Sequence, residues 1–320
     1  MLKDAARFLL ERGGLSLLRW VHRREFGILM FHSFSPSNRS NVETICSYLT
    51  RHFEPVSLSQ VASASKRGDV LPANAITVTV DDGYRNFLEH GHPIFRRHRI
   101  PTTAYVVSGF ADGRCWLWCD QVTFALEHTP KRSLEVELNG TIYQLQIISA
   151  AQRIAAAETL VDALKNVPND MRARFVTGLG TLCDVDVPCQ APAHCRAMTW
   201  DDLRAAAAEG VEIGCHTESH PILSRITNPE HLRREIWGSK ELIEKHLRRE
   251  VRHFCYPNGR DVDISDAAVD VVRQAGYVTA TTTNFGLNTK SSDHIRLRRL
   301  PFDDDIPLHY AAELLVGLHV

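Results

Sequence analysis

The chain predicts an α/β protein built on a parallel sheet closed into a barrel, and three observations predict it. Short apolar, β-branched runs alternate with amphipathic stretches, which is the rhythm of βαβ units. Three of the runs end in polar, chemically able residues: TVTV-DDG, VEIGC-HTESHP and VRHFC-YPNG. Strand ends of that kind converge at the C-terminal face of an α/β barrel. The 320 residues are 44% hydrophobic and 23% charged, an ordinary globular composition. Barrels routinely use about 250 residues as one unit.

Residues 1–26 read as an amphipathic basic segment with apolar positions at Phe8, Leu9, Leu15, Leu17, Leu18 and Val21. Its apolar runs fall far short of the roughly 18 residues that span a bilayer, so neither a transmembrane helix nor a secretory leader is expected. A helix covering one end of the barrel and peripheral contact with a membrane surface are the two readings. A cytoplasmic, reduced protein follows, in which the eight cysteines are thiols. The main domain runs from 27 to 320. GILMFHSF (Gly27 to Phe34) is a buried strand delivering His32 to its far end, and NVETICSYLTRHF has helical spacing. AITVTV then breaks at Asp81-Asp82-Gly83, HPIFRRHRI is helical, and TTAYVV is another strand.

The stretch 111–195 departs from this rhythm. SLEVELNGTIYQLQI carries two alternating runs about Asn139-Gly140, a hairpin signal, and AAQRIAAAETLVDALKNV is helical. It reads as an insertion. The βα alternation resumes with a helix capped by Thr199 and stopped by Gly210, then VEIGC, the helical HLRREIWGSKELIEKHL, VRHFC, DAAVDVVRQAG and YVTATTT.

Neighbouring residues of a regular strand face opposite ways, but at Asp81-Asp82 the chain is already turning, and Gly83 permits the dihedrals that aim both carboxylates at the mouth. One can then hold a cation while the other serves as general base; a helix N-cap is the alternative for one of them. His216 and His220, with three residues between them after a buried strand, can offer two imidazoles to one metal, whereas a surface pair is the plainer reading of such spacing. Two His and one Asp form an open, catalytic type of ligand set. Cys183, Cys189 and Cys195 beside His194 are spaced too widely for a structural zinc site. The formal charge of −1 offers no basic face for nucleic acid.

TVDDG followed by HTESHP resembles the two signature motifs of the polysaccharide deacetylase family (NodB homology, carbohydrate esterase family 4). The similarity covers about 27–110 and 198–302. The resemblance implies a distorted, seven-stranded (β/α) barrel and a hydrolase of carbon–nitrogen bonds that removes N-acetyl groups from an N-acetylated sugar in a polysaccharide or glycolipid. It implies Asp81 as catalytic base, Asp82, His216 and His220 as ligands of a divalent metal (zinc, with cobalt, nickel or manganese as alternatives), and an N-acetylated glycan as partner.

Two departures stand out. The family's third motif has an Arg before Pro-Tyr-Gly, and FCYPNG has none, so the task of orienting the base falls to Arg298, with Arg299 and Arg252 as alternatives. The late Leu-x-His motif is missing, and His319 at the terminus is a poor substitute. A subgroup resembling the poly-N-acetylglucosamine deacetylases carries its proton-donating His early, as His32 would be; a core histidine is the alternative. Tyr256 and Asn258 are expected at the substrate and oxyanion, the N–H coming from Asn258 because Pro257 has none. Trp116, Trp118 and Asp120 resemble a tryptophan-rich segment of related deacetylases, and Trp116 is expected at the sugar, core packing being the alternative. A deformylase or amidohydrolase of a small N-acyl substrate, and a non-catalytic sugar-binding relative, are the competing functions.

Overall fold

A computed structural model describes residues 14–318; residues 1–13, half of the basic N-terminal segment, and residues 319–320, His319 among them, lie outside the described residues. Seven parallel strands close the barrel: β1 (Gly27–Phe31), β3 (Ala75–Val80), β4 (Thr102–Val106), β7 (Glu212–Cys215), β8 (His253–Cys255), β9 (Thr279–Phe285) and β10 (Leu297–Pro301). Their order round the barrel is β1-β10-β9-β8-β7-β4-β3, and β3 returns to β1 in register from Gly27 opposite Ile76 to Phe31 opposite Val80. A two-residue strand, β2 (Glu54–Pro55), adds to the outer end of β3.

β3 and β4 are buried along their whole length, as strands covered on both faces must be. Ile76, Val78, Val80, Ala104 and Ile213 belong to the main core, which the surrounding helices complete with Ile45, Leu49, Phe95, Leu203, Ile243 and Val272. Burying that apolar area is the principal source of stability. β10, the seventh barrel strand, was not among the strands read from the sequence: LRRLP carries two charges and looks like surface. The stretch expected as one helix over 231–247 is interrupted by a π-helical turn at Arg234–Gly238 between the helices Pro229–Arg233 and Ser239–Leu247.

Within 111–195 the hairpin forms as expected, β5 (Ser133–Leu138) against β6 (Thr141–Gln146), with Asn139 at φ 51° and Gly140 at φ 78°. Its inward residues Leu134, Val136, Leu138 and Leu145 pack on the helices Trp118–His128, Ala150–Leu164 and Asn169–Cys183 as a separate core. The helix Leu15–Val21 buries none of its residues, and Leu17 and Trp20 are 62% and 61% exposed. Among the described residues no helix is long and apolar enough to cross a membrane.

Candidate metal and acyl-hydrolysis centre

β3 continues its pairing one residue past its end, the Asp81 N–H donating to the Phe31 carbonyl at 2.8 Å. The chain then makes a three-residue turn, Gly83 N–H to Asp81 carbonyl at 2.9 Å, with Asp82 at φ 72° and Gly83 at φ 86°. The positive φ therefore falls on Asp82 as well as on the expected Gly83. Thr217 (φ 69°), His220 (φ 56°) and Asn258 (φ 59°) share this strained conformation at the neighbouring strand ends. Such strain persists only where surrounding contacts enforce it, and it clusters at functional sites.

The turn brings both carboxylates into one buried site. One Asp82 oxygen lies 3.5 Å from His216 Nε2 and 3.5 Å from His220 Nε2, and the two rings stand edge-on with centroids 4.9 Å apart. The donor atoms of this trio all lie within 4.8 Å of one another. The Nδ1–H of His216 donates to the Cys255 carbonyl at 2.8 Å, which orients the ring and turns Nε2 toward Asp82. Burial, and then the His216 and Arg172 charges, hold His220 well below the ordinary imidazole range, so it offers a lone pair. Burial pushes the Asp82 carboxyl up, against the pull of His32 and His216, so its ionised form lacks a full counter-charge. One carboxylate and two imidazoles, buried and convergent, fit a divalent cation.

Asp81 stands in a different field. Both its oxygens are gripped by Arg299, Nη1 to Oδ1 at 2.7 Å and Nη2 to Oδ2 at 2.7 Å. Arg299 is held in turn by the Thr282 carbonyl at 2.7 Å and the Thr79 hydroxyl at 3.2 Å. Burial alone pushes the Asp81 carboxyl up, but the guanidinium outweighs it and holds the group well below the usual carboxylate range. The expectation for Arg298 is corrected here: Arg298 is exposed, whereas Arg299, one residue on, is 1% exposed. Strand side chains alternate, and this register turns 297 and 299 inward. Arg252 lies at the opposite end of β8, beside Glu250.

His32 Nε2 lies 3.9 Å from Asp81 Oδ2, and its side chain is 43% exposed, so it borders the site from the solvent side. Asn258 sits at a tight turn closed by Gly259 N–H to Pro257 carbonyl, its side-chain amide donating to Asp263. Tyr256 departs from expectation. Its ring packs on Phe254 at 5.1 Å in the main core and its N–H is used by the Thr281 carbonyl at 3.1 Å, so neither can meet a substrate. Trp116 is 5% exposed and, with Trp118, lines a cavity of about 660 Å³ between the insertion and the loop 216–222. Asp120 accepts from the Tyr84 hydroxyl at 2.8 Å, and burial pushes its carboxyl up to about 7 against that bond.

Three residues unnoticed in the sequence shape the site. Glu235, buried in the π-helical turn, accepts from the Glu218 and Ser219 N–H groups at 2.9 Å each and from the Ser219 hydroxyl at 2.6 Å, tying down the loop between the two histidines. π-turns recur at functional sites, and the interrupted EIWG helix was the available signal. Asn169 of the insertion donates to the Ile222 carbonyl at 3.0 Å and fastens the other end of the loop. Cys255 supplies the carbonyl under His216 and a thiol near Asp81, which burial keeps protonated.

A buried carboxylate locked to an arginine stands beside a second carboxylate and two imidazoles at the C-terminal mouth of a (β/α) barrel. A family model described as polysaccharide deacetylase matches residues 69–280, and the chain belongs to that family. Among solved structures it is similar to the Streptococcus pyogenes deacetylase PplD in complex with acetate, with a TM-score of 0.59 and 14% identity over 91% of this chain and 98% of that one. It is also similar to the deacetylase domain of BpsB from Bordetella bronchiseptica (TM-score 0.55, 17% identity, 88% of this chain and 96% of that one). These likenesses concern the fold. The poly-beta-1,6-N-acetyl-D-glucosamine N-deacetylase of Escherichia coli K12 is 33% identical over 60 residues, a match spanning 19% of this chain and 9% of that protein.

Proposed function

We propose that the chain is a metal-dependent N-deacetylase acting on an N-acetylated sugar of a polysaccharide or glycolipid. The observation that carries this reading is the Asp82, His216, His220 trio set beside the Arg299-locked Asp81. A zinc ion, or cobalt, nickel or manganese, held by the trio would polarise the acyl carbonyl and acidify a water. Asp81 keeps lone pairs free beyond its two bonds to Arg299 and takes the proton of the attacking water. Its low proton affinity suits only a water already acidified. In this reading the Asn258 N–H steadies the developing oxyanion, and His32 hands a proton to the departing amine. Arg299 keeps Asp81 ionised and oriented throughout.

Metal analysis combined with acetate release from a panel of N-acetyl sugars tests this directly, and formate release from N-formyl sugars separates out the deformylase alternative. His216→Ala is expected to lose metal and activity together; a variant that kept full metal content would remove His216 from the ligand set. Glu235→Ala is expected to weaken metal affinity by about 10- to 100-fold through the loosened loop, read by competition with a chelator. Peripheral membrane contact through residues 1–26 is supported by exposed Leu17 and Trp20 beside Arg19 and Arg23. Binding to anionic vesicles measures it.

A further inference from the structure

The cavity between the insertion and the loop 216–222 is lined by buried donors that lack partners. Arg172 lies in the first turn of the helix Asn169–Cys183, is 5% exposed, and lines this cavity with Trp118, Ser219, Pro221 and Arg225. Its guanidinium carbon sits 4.7 Å from the Trp118 ring centre, and Nη2 donates to Asn169 Oδ1 at 2.7 Å. Its Nη1 is buried with no hydrogen-bond partner, and the same holds for Trp118 Nε1 in the same lining. Arginine and tryptophan nitrogens can only donate, so further protein donors cannot satisfy them.

The charges point the same way. Burial, reinforced by the Arg225 charge, pushes Arg172 down to about 10, and no carboxylate opposes the shift. Asp170, the one carboxylate in the lining, is engaged by Arg174 at 2.9 Å and is largely exposed to solvent. Arg225 donates to the Val167 carbonyl, and the Asp263 that attracts it is already bonded to Arg260 at 2.7 Å. The helix is preceded by Pro168 at its N-cap position with no side-chain cap, so its first-turn N–H groups and the positive end of its dipole lie at this end, with Asp170 the one acid in that turn. A buried cation without a counter-ion is costly, and an oxoanion relieves that cost with charge-assisted bonds.

We propose that this cavity is an anion subsite, taking a phosphate or carboxylate carried on or next to the N-acyl sugar, with Arg172 and Arg225 as counter-charges and Trp118 as its floor. Ser219 and Pro221 flank His220, so a group held here sits beside the acyl-hydrolysis centre. As a statement about substrate it rests on the deacetylase reading; as a statement about anion binding it does not.

The experiment uses the metal-loaded full chain in two arms. In the first, inorganic phosphate and glucuronate are titrated and read by tryptophan fluorescence and thermal unfolding. A saturable response is expected, weakened about 10- to 100-fold by Arg172→Gln and also reduced by Arg225→Gln. A response untouched by both substitutions belongs to the metal and overturns the proposal, as does none at all. In the second, kcat/KM is compared for N-acetylglucosamine, its 1-phosphate and an N-acetylated aminohexuronate. At least a tenfold preference for one anionic substrate is expected, and which of the two it is identifies the anion; Arg172→Gln should collapse the ratio. Equal kcat/KM for all three overturns the proposal even if Arg172→Gln fails to fold. Arg172-dependent anion binding without hydrolysis of any N-acyl sugar would sink the deacetylase reading and leave the subsite standing.

Discussion

Asp81→Asn is expected to lower acyl release by about 10²- to 10⁴-fold while leaving the bound metal in place. Asparagine matches the shape and keeps an acceptor for Arg299, but it cannot take a proton from water. The three ligating side chains are unchanged, so metal content should equal that of the wild type. Stability should fall too, because Arg299, buried to 1% exposure, loses its counter-charge. Acetate assays, metal analysis and urea unfolding read the three effects. Activity within tenfold of the wild type would take the base role away from Asp81.

The second large effect is expected from Arg299→Leu. It leaves the Asp81 carboxylate buried beside Thr79 and Cys255 with no guanidinium, and breaking a buried pair in this way costs about 3–5 kcal/mol at neutral pH. The pH dependence gives the sign. In the wild type the folded pKa of Asp81 lies below the unfolded value of about 4, so the pair's contribution is fully present above that pH and lost as the pH falls through the folded pKa. In the variant only the lesser pulls of His216 and His32 oppose burial, the largest influence, and the carboxyl pKa is expected to rise above the unfolded value. The gap in unfolding free energy between the two proteins should therefore narrow on acidification, and the acid limb of kcat/KM should move to higher pH. A constant gap between pH 7 and pH 4 would show that the carboxylate is not the source of the cost. Lysine is not expected to rescue the variant, since one ammonium cannot reproduce the two parallel bonds.

The two predictions differ in how legible their residues were. Asp81 stands out because a β-branched strand runs straight into two acids and a glycine. Arg299 does not, because LRRLP offers two adjacent arginines and only strand parity in the closed barrel says which one points inward. Tyr256 failed as a substrate residue for a related reason: it follows β8 immediately, and the strand's alternation sends its ring into the outer core with Phe254. Glu235 and Asn169 were invisible because each acts over the fold on a loop distant in sequence.

What the sequence determined by itself is local. Alternating apolar runs and helical stretches specify a βα barrel, Asn139-Gly140 specifies a hairpin, and polar residues at three strand ends mark where chemistry gathers. These follow from short-range sterics and from the period of apolar burial. The tertiary structure alone decided which arginine holds Asp81, which ring of the YPNG turn is lost to the core, and that an insertion brings Arg172 and Trp118 beside His220. Those are relations between segments far apart in the chain. They depend on strand register and on the closing of the barrel, which no local pattern carries.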